Sequence, residues 1–137
     1  MAAAAETKAT DPKVKALATR IKGAQEPEID EMTSWLSDWA APGASMPAGE
    51  SHGDMGGTGP MPGMMTADEM AAFTAATGAD FDRMFLEMMI RHHQGAITMA
   101  AAQRQQGLNP SAKALAEAVE REQAAEITQM RSLLGAK

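Results

Sequence analysis

The chain reads as an all-α protein, a helical bundle built from repeated helix hairpins whose first repeat is truncated. Three observations predict this. Long stretches carry apolar residues at the three-to-four-residue spacing of a helix that faces a core. Each stretch opens on a helix start signal and closes near Gly or Pro. The sequence also matches itself at an offset of 98 residues: Met1–Leu36 lies over Met99–Leu134 without a gap, and fifteen of the 36 positions are identical.

The first long helix is expected to start at Asp11-Pro12, with Asp as cap and Pro at the first helical position. It runs through Leu17, Ile21, Ile29, Met32 and Leu36 to about Trp39, where Ala41-Pro42-Gly43 stops it. Pro27 is expected to kink or break it, because an internal proline removes a backbone donor and crowds the preceding turn. The stretch 41–65 is rich in Gly, Pro, Met and Ser and is expected to be a mobile linker. Thr66-Ala67-Asp68-Glu69 then reads as a capping box that opens a short helix ending near Gly78. A longer helix follows from about Ala79 to Gln106. The last helix starts at Asn109-Pro110 and continues to Leu134-Gly135. This divides the chain into a truncated half-repeat (1–40), a linker (41–65) and a complete hairpin (66–137).

The repeat unit is a helix pair. Pro12/Pro110, Gln25/Gln123, Glu28/Glu126, Ile29/Ile127 and Met32/Met130 are its more telling matches, since alanine identities arise easily. Met1 aligns with Met99, inside the longer helix and past its two histidines. The first copy therefore starts halfway through its own first helix, as expected if an upstream segment with another histidine pair is missing.

Composition narrows the function. A net charge of −6 argues against nucleic acid, which is met by a basic surface. No apolar run approaches the roughly 18 residues that span a membrane. With no Cys there is no thiolate zinc site and no thiol nucleophile. No secretory signal is present in the sequence as written. Thirteen Met against three Phe, two Trp and no Tyr is the main anomaly. Thioethers serve either as adaptable core filler or as soft ligands for Cu(I).

The chemistry concentrates in residues 80–100. On a helical projection Phe81, Phe85, Met88, Met89, Ala96, Met99 and Ala100 form one stripe, with Arg83, Glu87, Arg91, Gln94 and Thr98 opposite. His92 and His93 fall inside the apolar stripe, and Asp82 lies in line with Met89 and His93. His92 is four residues from Met88 and seven from Met99. The last helix repeats the oddity: its apolar face of Leu115, Val119, Met130 and Leu133 also carries Gln123 and Glu126. An unsatisfied buried polar group costs roughly 1–3 kcal/mol, so these groups need partners. Two readings compete. In one, carboxylates hold the imidazoles in a hydrogen-bonded network and nothing else binds. In the other, His92 and His93 ligate a metal with Met88, Met89, Met99 and Met130, while Asp82 and Glu126 act as ligands or orient the rings.

Imidazole with thioether points to copper, as Cu(I) or Cu(II). A ferritin-type di-iron site needs Glu-x-x-His pairs, but Glu87 stands five residues before His92 and Glu126 is followed at three by Gln129. Met46, His52, Asp54, Met55, Met61, Met64 and Met65 in the linker read either as a low-complexity spacer or as a soft-metal capture arm.

The segment FDRMFLEMMIRHHQGAITMA (81–100), with NP…ALA and Q..EI..M..LL in the last helix, resembles the domain of unknown function 305 family. DPKVKALATRIKGAQEPEIDEMTSWLSDW (11–39) resembles that family's earlier half-repeat. The resemblance implies a ferritin-like bundle of bacterial origin, exported to the periplasm or cell envelope, with several members linked to copper. By position, Asp82, Met89, His92, His93 and Met99 match the family's first-helix pattern, and Gln123, Glu126 and Met130 its second. A metal-binding protein for sequestration or delivery is the leading expectation. A metal-dependent redox enzyme and a metal-free structural or partner-binding bundle are its rivals. Three long helices and a stub leave an apolar face open, which is consistent with a homodimer.

Overall fold

The computed structural model describes residues 1–39 and 62–135. Among these it contains five helices and no strand: α1 (Ala2–Lys8), α2 (Pro12–Trp39), α3 (Ala67–Ala75), α4 (Gly78–Gln106) and α5 (Pro110–Gly135). The start signals act as expected. The Asp11 carboxylate accepts the Lys13 N–H at 2.8 Å, and the Asn109 side chain accepts those of Ser111 and Ala112. The Thr66 capping box is complete: Thr66 Oγ1 takes the Glu69 N–H, and the Glu69 carboxylate takes the Thr66 N–H. Residues 40–61, most of the expected linker, lie outside the described residues, and with them Met46, His52, Asp54, Met55 and Met61.

Helices α4 and α5 form one hairpin and α1 and α2 a second, shorter one. α1 ends at Lys8 and α4 at Gln106, while α2 starts at Pro12 and α5 at Pro110, so both pairs of boundaries stand 98 residues apart. The core is aliphatic and methionine-rich around three aromatic rings, Phe73, Phe81 and Phe85, with Val14, Leu17, Ile21, Phe81, Phe85, Leu86 and Met130 fully buried. α3 is pinned to α4 by the stacked Phe73 and Phe81 rings, 4.7 Å between centroids. Lys8 joins α1 to this corner, donating to the Thr74 carbonyl and lying 5.0 Å from the Phe81 ring centre.

Pro27 does not break its helix: α2 runs through it without interruption. The proline lies on the exposed side, and the Gly23 carbonyl that it deprives of a partner belongs to a turn with open space around it among the described residues. Solvent can therefore satisfy that carbonyl, which removes most of the penalty for an internal proline. Burial changes along α2 all the same. Val14, Leu17, Ala18 and Ile21 are buried, whereas Ile29, Met32 and Leu36 are 53, 43 and 63% exposed. Their counterparts Ile127 and Met130 in α5 are buried against α4. α1 has seven residues, about 10 Å of helix, and cannot cover the 28 residues of α2. The far half of α2 therefore forms one wall of an apolar groove of about 550 Å³ whose other walls are α4 and α5.

The two hairpins meet at Asp82. Its carboxylate, 1% exposed, accepts the Thr10 N–H at 3.0 Å, the Thr10 hydroxyl at 2.8 Å and the Asp11 N–H at 2.9 Å. A side chain of α4 thus supplies the acceptor for backbone donors at the α1–α2 turn. Removing it would take this acceptor away from the Thr10 and Asp11 donors and break the tie between α4 and the turn. Asp82→Ala is expected to lower unfolding free energy by about 2–4 kcal/mol in urea denaturation.

Candidate metal centre

His92 and His93 are neighbours on α4, so their rings diverge: the centroids are 6.2 Å apart and the planes tilt by 60°. The two residues have different surroundings. His93 is fully buried, and its Nε2 lies 2.7 Å from Glu126 Oε2 on α5. His92 is half-buried, and burial, followed by the neighbouring His93, lowers its pKa below the ordinary histidine value. It is therefore neutral at pH 7, with a lone pair available on the ring. The Nδ1 atoms of both rings are buried without a hydrogen-bond partner among the described residues.

His92 borders two concavities. One is the apolar groove beside α2. The other, of about 290 Å³, is lined by Met1, Met64, Met65, Met70, Met89 and His92, with Ala2 and Gln25. Five thioethers from four parts of the chain thus surround one imidazole: Met1 before α1, Met64 and Met65 before α3, Met70 in α3 and Met89 one turn before His92 in α4. Arg91 closes the rim, donating to Met65 Sδ at 2.6 Å and pairing with Glu69 at 2.7 Å. Among the described residues no three His, Asp or Glu side chains gather as a metal cluster. The donors available here are sulfur and imidazole, the set that favours a soft ion.

The remaining candidate residues are dispersed. Glu126 meets His93, as the shared polar stripe suggests. Met88 (7% exposed) and Met130 (0%) are packed into the core and do not line the thioether pocket. On the projection Met88 lies about 40° from His92 and Met89 about 60°; both are buried in the core, but only Met89 also borders the pocket. Met99 is 44% exposed and lies on the apolar groove. Asp82 must be reassigned: ten residues of helix place it about 15 Å from His92, and its oxygens are engaged at the α1–α2 turn. Sequence patterning missed Met1 and Met70 as neighbours of His92. No spacing rule links them to α4, and only the packing of α1 and α3 brings them there.

The sequence matches the family Domain of unknown function (DUF305) over residues 1–134. The chain belongs to the DUF305 family. Its fold is similar to that of a DUF305 protein from Streptomyces coelicolor described as a predicted secreted protein (TM-score 0.84, 29% identity, covering 98% of this chain and 80% of that one). A DUF305 fragment from Deinococcus radiodurans is also similar (TM-score 0.79, 28% identity, 99% and 84% covered). So is CopM in its Cu(I)-bound form (TM-score 0.73, 32% identity, 98% and 83% covered), and CopM is also known in Cu(II)- and Ag-bound forms. No curated protein matches the chain significantly. The all-α bundle is thus shared with DUF305 structures, and one of these structural neighbours binds copper and silver. No helix among the described residues is long and apolar enough to cross a membrane.

Beside the histidines, Glu28 on α2 shares its surroundings with Glu122 and Glu126 on α5 and with Glu31. Burial first, then repulsion from these three carboxylates, raises its pKa above 4.5. The folded chain therefore holds this proton to higher pH than the unfolded chain does. Ionising Glu28 costs stability as pH rises through the raised value, and the cost is absent well below 4.5. Glu28→Gln is expected to raise the melting temperature by about 1–3 °C at neutral pH and to leave it unchanged near pH 3.

Proposed function

We propose that this protein binds a soft metal ion, copper foremost, for sequestration or delivery outside the cytoplasm. The reading rests on one observation: a neutral, half-buried imidazole with an unpartnered Nδ1 lines a pocket with five thioethers. Neutral imidazole and thioether are the ligands that suit Cu(I). His92, Met89, Met70, Met64, Met65 and Met1 would hold the ion. His93, tied to Glu126, stands behind them as a further ligand or as the residue that fixes this part of α4. Met88, Met99 and Met130 contribute packing around the site. The ion is cargo, and no turnover is assigned to the chain.

The copper- and silver-bound forms of CopM support this reading, since Ag(I) and Cu(I) share a preference for sulfur. The secreted description of the Streptomyces relative supports an extracytoplasmic location in periplasm or cell envelope. For His93 the metal-free alternative has an observation of its own, the 2.7 Å bond to Glu126, which satisfies one ring nitrogen without an ion. His92 has no such bond among the described residues.

Titration with Ag(I), or with Cu(I) under anaerobic conditions, separates the readings. An ion at a hundred times its dissociation constant stabilises the native state by about 2.7 kcal/mol, a shift readily seen in a melting curve. The shift is expected in the parent, reduced in Met70→Leu and Met89→Leu, and lost in His92→Ala. A parent melting curve unmoved by either ion would defeat the proposal. We also propose that a second copy covers Ile29, Met32 and Leu36. Light scattering should then give twice the monomer mass, returning to one in Leu36→Glu, whereas a monomeric parent would exclude the dimer.

A further inference from the structure

The segment Pro62–Met65 is held against α4 by close backbone contact as well as by Met65, which packs on the core. Gly95, buried on the turn after His92, faces it. A methyl group on Gly95 would fall on the Pro62 carbonyl and lie 2.7 Å from Gly63 Cα. A methyl group on Gly63 would lie 2.8 Å from the Arg91 carbonyl oxygen and 3.0 Å from that of His92. Gly63 also has a φ of +81°, which side chains other than glycine's rarely tolerate. The far end of the segment is fixed by the Thr66–Glu69 capping box, and through Glu69 and Met65 by Arg91. Met64 and Met65 lie between these two anchors, on the pocket that contains His92. Met64 remains 58% exposed, so burying its side chain is not what the contact achieves.

We propose that Gly95 and Gly63 form a seat that holds Met64 and Met65 beside His92, so that position 95 decides how many sulfur donors the site presents. The inference rests on the soft-metal function above. Gly95 and Gly63 are positioning residues, acting only through the methionines they admit. The backbone of the segment reaches α4 because no side chain intervenes at either glycine. A single Cβ at position 95 displaces the segment and carries two thioethers away from the imidazole, while α4 itself persists, since Ala is the better helix former.

The full-length Gly95→Ala variant tests this against the parent and a Met64→Leu/Met65→Leu double variant. Hydrogen exchange of the metal-free proteins reports the seat, and Ag(I) affinity with copper-edge X-ray absorption of the Cu(I)-loaded proteins reports the donors. Gly95→Ala should show faster exchange of the Gly63–Thr66 amides with α5 unchanged, fewer sulfur scatterers with the imidazole nitrogen retained, and Ag(I) affinity on the order of tenfold weaker. The double variant should lose the same sulfur and affinity with parental exchange. If Gly95→Ala fails to fold, Gly63→Ala disturbs the same contact from the loop side. Parental affinity and sulfur count in the glycine variant would overturn the seat and leave the metal function standing. A parent that binds neither ion would remove the metal function, and exchange of the Gly63–Thr66 amides would still show whether the seat exists.

Discussion

The buried carboxylate of Asp82 joins the two halves of this protein. The two hairpins also share one apolar core, in which Val14, Leu17 and Ile21 of α2 join Phe81, Phe85 and Leu86 of α4 and Met130 of α5. Asp82 reaches from α4 into the turn between α1 and α2 and takes two backbone N–H groups and a hydroxyl. A carboxylate 1% exposed is tolerable only because these donors replace its hydration. The Arg20 hydrogen bond to Gln129 adds a second tie between the halves, and the Lys8 contacts at Phe81 a third.

The thioether pocket depends on this docking. Met1 and Gln25 come from the first half of the chain, Met89 and His92 from α4, and Met64, Met65 and Met70 from the segment and helix laid across it. Once the hairpins are fixed, the imidazole loses enough water to stay neutral, and the sulfurs assemble around it without any one helix carrying the full set.

The two histidines share a motif but have different surroundings. His93 points into the α4–α5 interface, and its bond to Glu126 makes the polar stripe of the last helix intelligible as a packing device. His92, one residue earlier, is turned by about 100° toward the pocket. Met88 and Met89 are both buried in the core, and of the two only Met89 also lines the pocket.

The helices and their caps were legible in the sequence because their causes are local. Asp11, Thr66 and Asn109 satisfy backbone donors two or three residues away, and the apolar stripe of α4 is a matter of 3.6-residue spacing. The meeting of His93 with Glu126 was also legible, since each lies on the inner face of its own helix. Three features were not. Pro27 proved harmless because its turn faces open space, a property of the surroundings and not of the residue. Asp82 lay on the right face of α4 but at the wrong height, and its partners at Thr10 and Asp11 are 72 and 71 residues away in sequence. Met1 and Met70 reach His92 only through packing of α1 and α3. Periodicity assigns a side chain to a face of its own helix, whereas the choice of neighbours on that face is made by contacts between segments far apart in the chain, and those exist only once the bundle has closed.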